Sequence, residues 1–412
     1  MSTNLDTSHA IYFGWYVVAA TFVLLFAGFG CAYAFGAFFV PLEKDFGATR
    51  AQVSAVFSNA IALVFVTGAF SGPLADKIGP RATAIGGSLM LASGLFACSL
   101  ADTLPKVTFY FSMGIGLGIG FIYVPSITAV QRWFQTKRGL ASGIAVSGVG
   151  FGTLVLPSTA GYFLTQYEWR LVFVGLACFV FLVGLPAGCT VIAKRPEHDL
   201  ATRNEDDSAE RHIPIPRETM RQIICSFKFL QFYLATALLS VPIMVPFVHL
   251  VPYAHDIGIE RSSAAMLLGL IGLGSILGRL GIGPIADRFG RKITLVATFC
   301  GIALGFLIWE GAHSLYALIV FSLWFGTTYG ASIAIMPALL ADYFNGPKLS
   351  TVIGLQYTSA AFGALLGPVA VGYFFDTQGD YSFALVLSAM VCFVSAIVLA
   401  INFDRRNLNR LN

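Results

Sequence analysis

Charge is scarce in this sequence. Only 11% of its 412 residues are Asp, Glu, Lys or Arg, against 57% hydrophobic. Soluble domains carry roughly 25% charged residues, so this chain lacks the polar side chains that would cover a water-facing surface. A net charge of +4 gives no field to gather nucleic acid, and no nucleic-acid partner is expected. The seven cysteines (Cys31, Cys98, Cys178, Cys189, Cys225, Cys300, Cys392) are scattered, mostly within apolar runs. Their odd number and spacing give neither a metal set nor a disulfide framework. The sequence has no Asn-x-Ser/Thr acceptor, no HExxH and no nucleophile elbow. Gly114, Gly116, Gly118 and Gly120 lie inside an apolar run and do not match GxGxxG. The first ten residues are polar and lack a basic stretch, so no cleaved signal peptide is expected. The chain is therefore not expected to be an enzyme, and no cofactor or metal is implied.

What the sequence does have is long apolar runs, with a mean hydropathy of +0.77. A hydrocarbon core of about 30 Å needs roughly 20 apolar residues per helix. Twelve runs meet that length, at about 13–39, 53–73, 82–102, 105–131, 139–165, 169–193, 229–256, 262–284, 291–311, 314–342, 350–375 and 381–403. They are continuous rather than alternating, and continuous runs in lipid must be helices that satisfy their own backbone. The expected fold is an all-α membrane protein of twelve transmembrane helices. Nineteen of the 25 basic residues fall in the even-to-odd loops and the tails, and five (Lys44, Arg50, Lys106, Arg170, Arg261) on the other side. The positive-inside rule then puts both termini in the cytoplasm, in a cell inner (plasma) membrane. The remaining one, Arg279, lies inside a span. Residues 194–228, with mixed charges, Pro214 and Pro216, read as a cytoplasmic linker between six-helix bundles at 1–193 and 229–412.

The two bundles are related by an internal repeat. A shift of 211 residues places Gly72-Pro73-Leu74-Ala75-Asp76-Lys77-Ile78-Gly79 on Gly283-Pro284-Ile285-Ala286-Asp287-Arg288-Phe289-Gly290. Gly143, Gly152, Pro157 and Gly161 fall on Gly354, Gly363, Pro368 and Gly372. Transporters built from such repeats bind substrate near the midplane between them. Gly143, Gly152, Gly354 and Gly363 are expected to let helices pack closely.

Departures from the repeat are more informative. Arg279 stands where the first half has Gly68, and His249 where it has Phe38. Arg279 precedes Asp287 by eight residues, about 12 Å along a helix, which places it near mid-membrane. A charge there costs several kcal/mol unless it meets a partner or a wet cavity. Asp102, Asp256, Glu310, Asp342 and Asp376 all sit near span ends. The missing counter-ion is thus read as the substrate, and a guanidinium matches a carboxylate with two parallel hydrogen bonds. Ser275, four residues earlier, shares the face of Arg279 and could support substrate or ease packing. His249 and Tyr253 share a face of a span loosened by Pro242, Pro246 and Pro252. Histidine titrates near neutrality, which makes His249 a candidate proton site.

The two repeated loops resemble the signature loops of the major facilitator superfamily. On that resemblance Asp76, Arg81, Asp287, Arg288 and Arg291, with Lys292, are expected to form gating charge networks. Trp133-Phe134-Gln135-Thr136-Lys137-Arg138-Gly139-Leu140-Ala141-Ser142-Gly143 resembles the monocarboxylate transporter signature, and Phe13-Gly14-Trp15 that family's first helix. The resemblance implies that Arg279 binds the substrate carboxylate. The oxalate/formate antiporters are similar too, and their cavity aromatics match Tyr33, Tyr123, Tyr329 and Tyr357. That group also carries a helix 11 lysine, where this chain has Ala360, and a further cavity aromatic, where it has Val149. One cation suits a monocarboxylate and two a dicarboxylate. Animal monocarboxylate transporters carry a proton on an aspartate four residues before the arginine, the position of Ser275 here. The expectation is a proton symporter of small monocarboxylates such as L-lactate or pyruvate, with no oligomer required. A carboxylate exchanger is the alternative.

Overall fold

The computed structural model describes residues 5–134, 138–192, 220–344 and 349–401. Lys137, linker residues 194–219, Lys348 and the C-terminal Arg405, Arg406 and Arg410 lie outside the described residues. Twelve helices are long and apolar enough to cross a membrane: α1 (Phe13–Phe46), α2 (Arg50–Gly68), α3 (Pro80–Ser99), α4 (Leu104–Trp133), α5 (Leu140–Gln166) and α6 (Trp169–Thr190), then α7 (Phe227–Asp256), α8 (Arg261–Phe289), α9 (Arg291–Glu310), α10 (Leu315–Tyr343), α11 (Val352–Gln378) and α12 (Ser382–Ala400). The fold is an all-α membrane protein of two pseudo-symmetric six-helix bundles. α7 begins inside the stretch read as linker, because Ser226 caps it by accepting from the Phe229 amide. Lys228 is thereby drawn into the helix, its ammonium 5.7 Å from the Tyr343 ring centre.

Local chemistry sets the helix ends and breaks. Thr49 and Gln52 form a reciprocal capping box that starts α2. The two signature loops end on Gly79 and Gly290, both at φ +89°, a backbone region that side chains with a Cβ avoid. α1 is interrupted at Ala34 and α7 at Met244, equivalent points of the repeat. In α7 the break follows from Pro242 and Pro246, which supply no amide hydrogen. α4 and α6 carry π-helical turns at Ser112–Leu117 and Val180–Gly184, although the repeat-related stretches of α10 and α12 stay α-helical.

Across the seam between bundles, α2 packs along α11 and α5 along α8. The tightest approaches lie toward the end away from the signature loops, here termed the far end. There a Cβ on Gly161 would meet Ala265 Cβ at 2.2 Å, and one on Gly372 would meet the Ala51 amide at 2.7 Å. Toward the end bearing most of the arginines and lysines, the basic end, a Cβ on Gly143, Gly281, Gly283 or Gly354 would meet nothing within 4 Å. The bundles are closed at the far end and parted at the basic end. The expectation of close packing is thus met by Gly152, against the Phe26 carbonyl, and Gly363, against Ser240. It fails for Gly143 and Gly354, because both sit where the bundles diverge.

Candidate functional site

Arg279 projects from α8 into the seam and is partly buried. Its Nη1 donates to the Val146 carbonyl of α5 at 3.3 Å, while its Nε is buried with no hydrogen-bond partner among the described residues. No carboxylate among the described residues forms an ion pair with it. Val146 is the repeat equivalent of Tyr357, so Arg279 lies between matching points of α5 and α11, close to the pseudo-twofold axis. The cation retains unused donor capacity in a mostly apolar setting.

The four tyrosines surround it as two pairs, each spanning the seam. The hydroxyls of Tyr33 on α1 and Tyr329 on α10 are 3.5 Å apart. Those of Tyr123 on α4 and Tyr357 on α11 are hydrogen-bonded to each other. Arg279 is near enough to Tyr33, Tyr123 and Tyr357 to act on their hydroxyls electrostatically. Phe247 stacks on Tyr33 at 4.3 Å between ring centres and meets Tyr329 edge-on at 5.6 Å. Phe29 packs on Tyr123, Phe65 on Tyr357 and Phe325 on Tyr329. One fixed cation, phenols that donate and accept, and an aromatic wall can hold a small anion with a short apolar tail.

Ser275 is one helical turn from Arg279, but its hydroxyl is buried without a hydrogen-bond partner among the described residues. Its backbone lies against α10, where a Cβ on Gly330 would come within 2.2 Å of the Ser275 carbonyl. That position favours the packing alternative over direct support of a ligand. His249 and Tyr253 are not brought to Arg279. His249 is fully buried toward the far end, with Nε2 at 2.8 Å from the Pro368 carbonyl and 3.1 Å from Ser54 Oγ, and Nδ1 at 3.2 Å from the Tyr381 hydroxyl. Tyr253 donates to the Ala312 carbonyl at 3.0 Å and packs edge-on against Trp309. Both lie beyond the Met244 break, which separates them from the tyrosine cluster.

The gating residues do not form one network. Asp76 accepts from Arg132 at 2.7 Å and Arg291 donates to Asp342 at 2.5 Å. Arg81, Asp287 and Arg288 are exposed; the Arg288 guanidinium lies 5.5 Å from the Phe289 ring centre, and none of the three forms an ion pair among the described residues. Sequence reasoning passed over Phe247, Arg132 and Asp342. For Phe247 a signal existed, since its repeat partner is Gly36, and a Cβ on Gly36 would meet the Phe247 carbonyl at 2.6 Å. A large side chain opposite its own glycine counterpart marks the axis.

The sequence model of the Major Facilitator Superfamily matches residues 20–253 and 232–411. The chain belongs to the Major Facilitator Superfamily. It is a transporter and not an enzyme. Within the superfamily it is similar to monocarboxylate transporter 13 of Rattus norvegicus, 26% identical over 94% of this chain and 88% of that one. Monocarboxylate transporter 2 of Homo sapiens is 25% identical over 94% and 85%. Among solved structures, peptide transporter POT (E310Q mutant) in complex with alafosfalin superposes with a TM-score of 0.75, at 16% identity over 96% of this chain and 95% of that one. The inward open conformation of the xylose transporter XylE from E. coli does so at 0.72, with 15% identity over 97% and 99%.

Proposed function

We propose that the chain carries small monocarboxylates, L-lactate and pyruvate foremost, across the cell inner membrane by alternating access in symport with a proton. Arg279, with no carboxylate partner among the described residues, carries this reading: its counter-ion is the substrate carboxylate. Tyr33, Tyr123, Tyr329 and Tyr357 would then hold the α-substituent, and Phe247 the alkyl tail. The names of the similar transporters support a monocarboxylate. On the positive-inside reading the basic end is cytoplasmic, so the described conformation opens inward. A monomer suffices, with the lipid bilayer as its remaining partner.

Exchange of one carboxylate for another is the second reading, and one observation favours it. No acid beside Arg279 is available to carry a proton in the substrate's company.

Uptake of radiolabelled L-lactate into proteoliposomes tests both. Wild-type protein in anion-free vesicles is expected to accumulate lactate only under an inward proton gradient. Arg279→Ala should abolish uptake with the protein still inserted, and Arg279→Lys, which keeps charge but not the fork, should lose about tenfold or more. Normal uptake by Arg279→Ala removes the site assignment. Uptake that appears only after preloading with a carboxylate replaces symport by exchange.

A further inference from the structure

A second charged assembly closes the seam at the far end. Arg50 opens α2 and is 7% exposed. Its Nη1 and Nη2 bind the two Asp256 oxygens at 2.6 and 2.8 Å, and its Nε binds Glu43 at 3.2 Å. The same Nη1 reaches the Tyr381 hydroxyl at 2.6 Å, and the guanidinium lies 3.8 Å from the Phe375 ring centre. Asp376 accepts from the backbone amides of Arg50 and Ala51 at 2.9 and 3.0 Å. Glu43, Arg50 and Ser54 belong to the first bundle; Asp256, Phe375, Asp376, Tyr381 and His249 belong to the second. Apart from Glu43, every partner of Arg50 named here lies across the seam.

A cation on the first residue of a helix opposes the macrodipole, so Arg50 is not there for the helix. Its repeat equivalent Arg261 opens α8 and also crosses the seam, to the Leu164 carbonyl at 3.3 Å. The rest of the assembly arises where the repeat breaks. In the first bundle Asp45 pairs with Arg170 at 3.0 Å. Their equivalents in the second are Asp256 and Tyr381. Tyrosine in place of arginine leaves Asp256 without a partner in its own bundle, and the carboxylate reaches across to Arg50. His249 completes the assembly. The Pro368 carbonyl only accepts, so His249 Nε2 carries the ring hydrogen and Nδ1 accepts from the Tyr381 hydroxyl.

We propose that Arg50, Asp256, Tyr381 and His249 form a latch that holds the far end closed, that its release is the step by which the carrier opens there, and that His249 serves as its clasp rather than as a substrate ligand. The proposal rests on the alternating access of the superfamily fold and not on the identity of the substrate.

Hydrogen–deuterium exchange of the full chain in lipid nanodiscs, without substrate, tests it. Asp256→Asn removes one latch charge, and Tyr381→Arg restores to Asp256 the in-bundle partner that Asp45 has. Both should raise exchange over residues 50–54 and 376–381 by about tenfold. Exchange over 140–146, 279–289 and 352–357 should fall in the same variants, since opening one end closes the other. His249→Leu should act in the same direction, while His249→Gln, which keeps an N–H for Pro368, should stay near wild type. Unchanged exchange overturns the proposal. So does a rise confined to the far end, which is what a static surface ion pair would give.

Discussion

At the scale of single residues, the central cluster rests on phenol hydroxyls that have no partner to spare. Tyr33 pairs with Tyr329 and Tyr123 with Tyr357. Removing one hydroxyl leaves its partner buried and unsatisfied, a loss of about 1–3 kcal/mol. Tyr357→Phe should therefore raise the KM for L-lactate by roughly 5- to 150-fold, with little effect on the amount of folded protein. A KM within twofold of wild type would mean that the hydroxyl pairs each other and not the substrate. Arg279 and these tyrosines were legible in the sequence. One charge in an apolar run has few structural uses, and the tyrosines match a known family cavity. His249 was not legible in the same way. A histidine in a span shows its helix but not its depth relative to a break, and the Met244 interruption moves it out of the cluster. Asp256 and Arg50 look like ordinary helix-end charges until the fold brings the two bundles together.

At the scale of elements, the site depends on helices that are not regular. The π-helical turn at Ser112–Leu117 precedes Tyr123 by less than two turns of α4. An extra residue in a helix rotates everything after it by about 100°. Deleting Met113 should return the turn to α-helix and swing Tyr123 off the seam. The expected result is a normally inserted protein with uptake reduced by about two orders of magnitude, nearer the effect of losing several contacts than of Tyr123→Phe. Equal losses in the deletion and in Tyr123→Phe would show that the turn merely accommodates Gly94 against Gly114, where a Cβ on Gly94 would meet the Gly114 Cα at 2.3 Å. Nothing in the local sequence announces a π turn, because its cause is that close helix contact. The interruption of α7, by contrast, could be read directly from Pro242 and Pro246.

At the scale of the whole molecule, twelve spans and the repeat followed from hydrophobic run lengths and the 211-residue shift, since lipid leaves few alternatives to helix. The conformational state could not follow from them. Equivalent glycines ended up in unlike settings because the seam is closed at one end only. That asymmetry makes the open glycines useful probes. Gly143 on α5 meets nothing within 4 Å in this state, and valine has a better helix propensity than glycine, so Gly143→Val should not weaken the fold. In the opposite state the basic end must close and the added methyls would stand in the way. Thermal stability in detergent should stay within a few degrees of wild type, while net uptake falls by about tenfold or more. Carboxylate binding to the described state should be preserved, because Gly143 lies toward the basic end from Arg279's partner Val146. A variant that transports at the wild-type rate would show that the bundles never approach each other at Gly143, and the closing motion would then have to be placed elsewhere on the seam.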